Sequence, residues 1–221
     1  MSNFFGIIWE YRDGFLHGLL ITCEICLIVW SVGILMGTLV GFGAHKRHGM
    51  CVTLKWVSNV ITSMPVIVFL FWMHYPLQSI LQIVIDPFVT SVVTFSVVNV
   101  LGVANIVSMA LNDFPRQYLV AARTLGMSHK TIIRKIQMPL MLRSVLPPLL
   151  SLQVNMLQIS LFSSFIGVED IFRMAQRINS MAYKPIEIYT ALGLFFIIIC
   201  LPLNLLVEHL KNKYTRDISE K

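Results

Sequence analysis

The sequence predicts an all-α integral membrane protein, a single domain over residues 1–221 with five transmembrane helices and a two-helix loop in water between spans three and four. Three observations predict it. Of 221 residues 56% are hydrophobic and 13% charged, where a soluble domain carries about a quarter charged residues. Five apolar runs are long enough to cross lipid. Between two of them lies VAARTLGMSHKTIIRKIQMP, Val120 to Pro139, carrying Arg123, Lys130, Arg134 and Lys135, charges that hydrocarbon excludes.

Span one runs from about residue 15 to 43 and stops at HKRH, His45 to His48. Gly33, Gly37 and Gly41 recur every fourth residue along one face, a stripe on which a second helix can approach closely, within the subunit or across subunits. Span two, 52–72, is interrupted by Pro65, which removes one backbone hydrogen bond and predicts a kink. Met73 to Pro87 contains no basic residue and reads as an external loop with a short apolar piece. Span three, 88–111, ends at the turn NDFP, Asn112 to Pro115. Span four, 138–165, tolerates Pro147 and Pro148 because bundle neighbours re-satisfy the freed carbonyls. A second external segment, Glu169 to Pro185, precedes span five, 186–207, and the polar tail from Lys211 is expected to be loosely held. Met1 to Asp13 is mixed polar and aromatic, and the apolar run after it is too long for a signal core.

Basic residues give these spans a direction. Thirteen of the 17 Lys and Arg lie after span one, in the central loop with the start of span four, and in the tail. The positive-inside rule therefore places the N-terminus outside and the central loop and C-terminus in the cytoplasm. That placement also accounts for the net charge of +6 without nucleic acid as a partner.

Within the loop, 116–137, local chemistry predicts an elbow. Gln117 to Leu125 is rich in helix formers, and Gly126 can take the left-handed conformation that closes a helix end. Ser128 reopens the chain as an N-cap, with Met127 and Ile132 placed as a hydrophobic staple. Ile132, Ile133 and Ile136 form an apolar stripe, and Pro139 is expected to separate the elbow from span four.

Several chemistries are excluded by pattern. The chain has no GxxxxGK[ST], HExxH or GxSxG motif, so no ATPase or common hydrolase site is visible, no metal is expected and the chain itself binds no cofactor. Cys23 and Cys26 have CxxC spacing inside an apolar helix without further ligands, which reads as packing. Polar groups inside the spans mark a candidate translocation path. Glu24 is the clear intramembrane carboxylate. Ser151, Asn155 and Gln158 share one face of span four, and Asn105, Ser108 and Asn112 share one face of span three; such stripes also glue helices.

The central stretch resembles the EAA loop of ATP-binding cassette (ABC) importer permeases in Ala121, Ala122, Gly126, Ile136 and Pro139. LRSVLPPL (Leu142 to Leu149), IGVEDIFRMAQRI (Ile166 to Ile178) and YKPIEIY (Tyr183 to Tyr189) look like the polar amino acid branch, the histidine, glutamine, arginine and opine permeases. The likeness runs from about Gly18 to Lys213. It implies the transmembrane domain of a type I ABC importer in the bacterial inner membrane, without its own catalysis. Two partner ATPase subunits would use the ATP, docking on a coupling helix whose residues here are Ala121, Ala122, Gly126, Met127, Ile132, Ile136 and Pro139. A second permease subunit, identical or not, and a periplasmic or lipid-anchored solute-binding protein would complete the system.

Departures from the family pattern fall on charges. Val120 stands for the usual loop glutamate, and Asn105, Ser108 and Met109 for Glu, Arg and Gly. Gln158 and Ile159 replace a Lys–Asp pair, and Thr62 replaces an arginine ahead of Pro65. A partner subunit supplies those charges, the substrate differs, or structural ion pairs have been replaced together. The alternatives to an amino acid permease are a methionine-type importer permease and a non-transporting scaffold or channel subunit.

Overall fold

The computed structural model describes residue 6 and residues 9–219, and among these there is no strand. Helix α1, Arg12–Lys46, is followed by α2, His48–Thr62; α3, Val66–His74; α4, Pro76–Leu81; and α5, Pro87–Asn112. The elbow comprises α6, Arg116–Thr124, and α7, His129–Ile132. A π turn, Ile133–Gln137, then leads into α8, Met138–Ile159, which tightens into a 3₁₀ turn over Ser160–Ile166. Helices α9, Ile171–Ala182, and α10, Pro185–Ser219, complete the chain.

Among the described residues four helices are long and apolar enough to span a membrane: Arg12–Lys46, Pro87–Asn112, His129–Ile166 and Pro185–Tyr214. A bent pair of helices brings the number to five if the pair counts as one span. Gly49–Thr62 and Val66–Leu81 meet at 92°, so the kink expected at Pro65 is a sharp corner. Pro65 itself is extended, with φ −55° and ψ 135°, and proline disfavours helical geometry in the residue before it.

Pro139 does not separate the elbow from span four as expected. The helix runs unbroken from His129 to Ile166, because the π turn just ahead of Pro139 widens the backbone where the proline ring would clash with the preceding turn. Span four is therefore one rod with the second half of the elbow. The tail, expected to be loosely held, continues α10 to Ser219, with no Gly or Pro after Pro202 to stop it; Glu220 and Lys221 lie outside the described residues.

The core is built on α1 against α5. Gly33, Gly37 and Gly41 are buried, and a Cβ on Gly37 or Gly41 would come within 2.6 and 2.8 Å of Val103 and of Val107 or the Ala104 carbonyl. The glycine stripe thus packs within the subunit. Beside it, Asn99 is fully buried; its amide donates to the Val29 carbonyl at 2.9 Å and to Gln153 Oε1 at 3.0 Å. Trp30 Nε1 donates to the Gln153 carbonyl at 3.1 Å. One polar knot ties α1, α5 and α8 where apolar packing alone would let helices slide.

Far from the elbow, Asp170 caps α9. It accepts from the Arg173 amide at 2.8 Å and from the Ser163 hydroxyl at 2.7 Å. The Ile171 amide donates to Thr22 Oγ1 at 3.1 Å, anchoring α9 on α1.

Candidate functional site: a polar cavity joined to a basic elbow

A cavity of about 240 Å³ opens where α2 breaks at Pro65 and faces α5 and α8. Its polar lining is Ser58 and Thr62 from α2, Asn105 from α5 and Asn155 from α8, set among Phe69, Leu152, Met156 and Ile159. Asn105 Nδ2 donates to Ser58 Oγ at 2.5 Å, and Thr62 Oγ1 donates back to the Ser58 carbonyl at 2.8 Å. Among the described residues no charged side chain lines this cavity.

Of the candidate path residues, the structure brings together Asn105 and Asn155. Ser108 is buried one turn from Asn105, where its hydroxyl accepts from Asn112 at 3.5 Å. Ser151 and Gln158 share the face of Asn155, and all three are exposed in the single chain; the stripe lies along the surface, with Asn155 at the cavity. Glu24 is exposed on α1 and is not among the cavity's lining residues. Ser58 was not singled out from the sequence and Thr62 only as a departure from the family pattern, although their i, i+4 spacing immediately before a span-breaking proline was a usable signal. Asn99 and Gln153, the most buried amides, were likewise passed over.

The elbow is closed by backbone chemistry. Gly126 has φ +73°, and around it the Met127 amide donates to the Ala122 carbonyl at 3.1 Å and the Gly126 amide to the Arg123 carbonyl at 2.9 Å. These two bonds define a Schellman motif, which satisfies carbonyls that a helix end leaves free. Ser128 Oγ then accepts from the Thr131 amide at 3.4 Å, capping α7.

Burial divides the expected docking residues. Ala122 and Ile132 are 2% and 3% exposed, so they hold the elbow together from inside. Met127 and Ile136 are half-buried, while Ala121, Gly126 and Pro139 are exposed. The most exposed large apolar side chains on the elbow are Val120, 63% exposed, and Leu125, 79% exposed, with Ile133 exposed to a lesser degree; Leu125 was not anticipated. Arg123, Lys130, Arg134 and Lys135 are exposed around them, and the ion pairs among the described residues, Arg12–Asp13 and Arg177–Glu169, use none of these. The elbow presents exposed apolar side chains, Val120 and Leu125 foremost, beside basic residues that form no ion pair among the described residues.

A span-length helix that lines a cavity at one end and forms half of a basic, rigid elbow at the other defines the transmembrane part of a membrane transport machine. The chain belongs to the family described as binding-protein-dependent transport system inner membrane component, whose model matches residues 33–216. It is 27% identical to the glutamine transport system permease protein GlnP of Escherichia coli K12, covering 93% of this chain and 95% of that one. It is 26% identical to the glutamate/aspartate import permease protein GltK of E. coli O157:H7, with 90% and 92% covered. To the histidine/lysine/arginine/ornithine permease protein HisQ of Salmonella typhimurium it is 23% identical, with 95% and 96% covered. In fold it matches a chain of a crystal structure of an amino acid ABC transporter with histidines (TM-score 0.83, 23% identity, 96% of this chain and 99% of that one). It also matches a chain of the inward-facing MetNI methionine ABC transporter (TM-score 0.71, 18% identity, 93% and 98%). The chain is thus a multi-pass permease subunit of an importer, and a lone scaffold or channel is set aside.

Proposed function

We propose that this chain is one of two permease subunits of an ABC importer for a polar amino acid or a similar small solute, with its N-terminus outside and its elbow and C-terminus in the cytoplasm. The observation that carries the reading is the unbroken helix from His129 to Ile166. It connects the elbow to the cavity wall at Leu152, Asn155, Met156 and Ile159. A rigid-body displacement imposed on the elbow by an ATPase pair must move that wall, which is what alternating access requires.

Relatives named for glutamine, glutamate/aspartate and basic amino acids support the substrate class. The cavity qualifies it. Its amides and hydroxyls suit a polar side chain or a passing hydrated solute, whereas an ammonium and a carboxylate taken there would be desolvated without counter-charges. Thr62, Asn105 and Ile159, three of the positions where the family pattern carries charge, all line this one cavity. Their joint replacement supports a second permease subunit unlike this one, holding the charged ends of the substrate. The exposed stripe Ser151, Asn155 and Gln158 suits the seam with that subunit. A solute-binding protein would deliver substrate on the outer side, and ATP would be used by the ATPase subunits.

Co-purification tests the reading. Gly126→Pro cannot adopt φ +73° and should release the ATPase while leaving membrane insertion intact. Full ATPase retention by that variant would overturn the elbow's role.

A further inference from the structure

We propose that a groove between α5, α8 and the end of α10 holds one phospholipid with a primary-amine zwitterionic headgroup, drawn from the leaflet on the elbow side. The groove measures about 360 Å³. Ile106, Met109 and Asp113 line it from one face of α5, Arg143 and Pro148 from α8, and Tyr214 from the end of α10. It is graded along the membrane normal. Ile106 and Pro148 form its membrane end and are apolar; Asp113, the C-cap just past the last turn of α5, and Arg143, about one and a half turns nearer the elbow than Pro148, supply charge toward the water.

Among the described residues neither charge is in an ion pair. The ion pairs among the described residues lie elsewhere, and Arg143 faces the Tyr214 ring, 5.9 Å from its centroid. A groove with an anion, a cation and an apolar floor matches a ligand with an ammonium, a phosphate and an acyl chain. The guanidinium would take the phosphate, the stronger geometry for a planar donor fork, and Asp113 would accept from the amine N–H groups. A helix of another subunit laid here would bury both charges unpaired, which is costly. A free amino acid would satisfy both charges but leave Met109, 61% exposed, and the apolar floor uncovered. The lipid covers both.

The full chain is reconstituted in vesicles of equal parts phosphatidylethanolamine, phosphatidylcholine and phosphatidylglycerol, re-extracted, and its retained lipid quantified by mass spectrometry. Phosphatidylcholine has the same charges but no amine N–H, so the wild type should enrich phosphatidylethanolamine over it roughly fivefold, the worth of one net hydrogen bond. Asp113→Asn should bring that ratio close to the bulk value, and Arg143→Gln should lower retention of all three lipids. A wild-type ratio equal to bulk, a ratio unchanged in Asp113→Asn, or displacement of the retained lipid by free glutamine would each overturn the proposal. The wild-type ratio decides even if a variant does not fold.

Discussion

Asn99 occupies the space into which a Cβ on Gly33 would project, and from there its amide reaches the Val29 carbonyl at 2.9 Å and Gln153 at 3.0 Å. Gly33→Ala must therefore displace either α1 or the amide. Overpacking of a tight core costs about 1–3 kcal/mol, so the variant should melt at a lower temperature in detergent. Asn99→Ala in the same chain should recover part of the loss by removing the clash, leaving Gln153 unpaired. An unshifted melting temperature for Gly33→Ala would show that the two helices are not held this closely.

A second prediction concerns the cavity. Asn105→Leu removes the donor to Ser58 and makes the wall apolar, while Asn105 is only half-buried. Uptake by the complete importer should fall, with the amount of assembled complex nearly unchanged. Equal uptake by Asn105→Leu and wild type would place the path elsewhere.

The third follows from Asp170. Burial pushes its carboxyl up to about 6, against the stabilising bonds from Arg173 and Ser163. Its usual value is 3.8, so between these two values the folded protein holds a proton that the unfolded chain releases. This group's contribution to stability is full below about 3.8 and is lost as pH rises through about 6. Asp170→Asn should flatten that dependence, read as the melting temperature of wild type minus variant from pH 4 to 7. A wild-type melting temperature that rises across this window relative to the variant would contradict the assignment.

How far the sequence could be read varied with the range of the chemistry. The elbow was legible because its determinants are local: Gly126 and Ser128 dictate a left-handed residue and an N-cap whatever packs around them. Its continuity with span four was not, since the proline rule predicts a break at Pro139 and only the π turn before it removes the clash. The five apolar runs were legible from composition, yet the 92° corner at Pro65 depends on what α3 packs against. The polar stripe at Ser151, Asn155 and Gln158 was visible as a face, but nothing in its spacing tells whether the face turns inward. Asn99 and Gln153 meet across 54 residues, a distance at which one sequence carries no pairing signal.

The elbow's surface yields a fourth prediction. Val120 stands where the family pattern carries a glutamate, and it is 63% exposed beside Arg123. Val120→Glu would place a carboxylate near that guanidinium at the helix surface, worth about 0.3–0.5 kcal/mol. ATPase affinity should therefore change by no more than about 2.3-fold; a gain of tenfold would mean that docking here is electrostatic.

In the proposed docking to an ATPase subunit, apolar fit at the elbow supplies the binding, with Leu125, 79% exposed, as its most prominent knob. The direct measurement is the amount of ATPase subunit retained by membrane-extracted Leu125→Asp relative to wild type, at equal permease loading. A charge forced into an apolar groove should reduce retention about tenfold. Undiminished retention by Leu125→Asp would contradict the account.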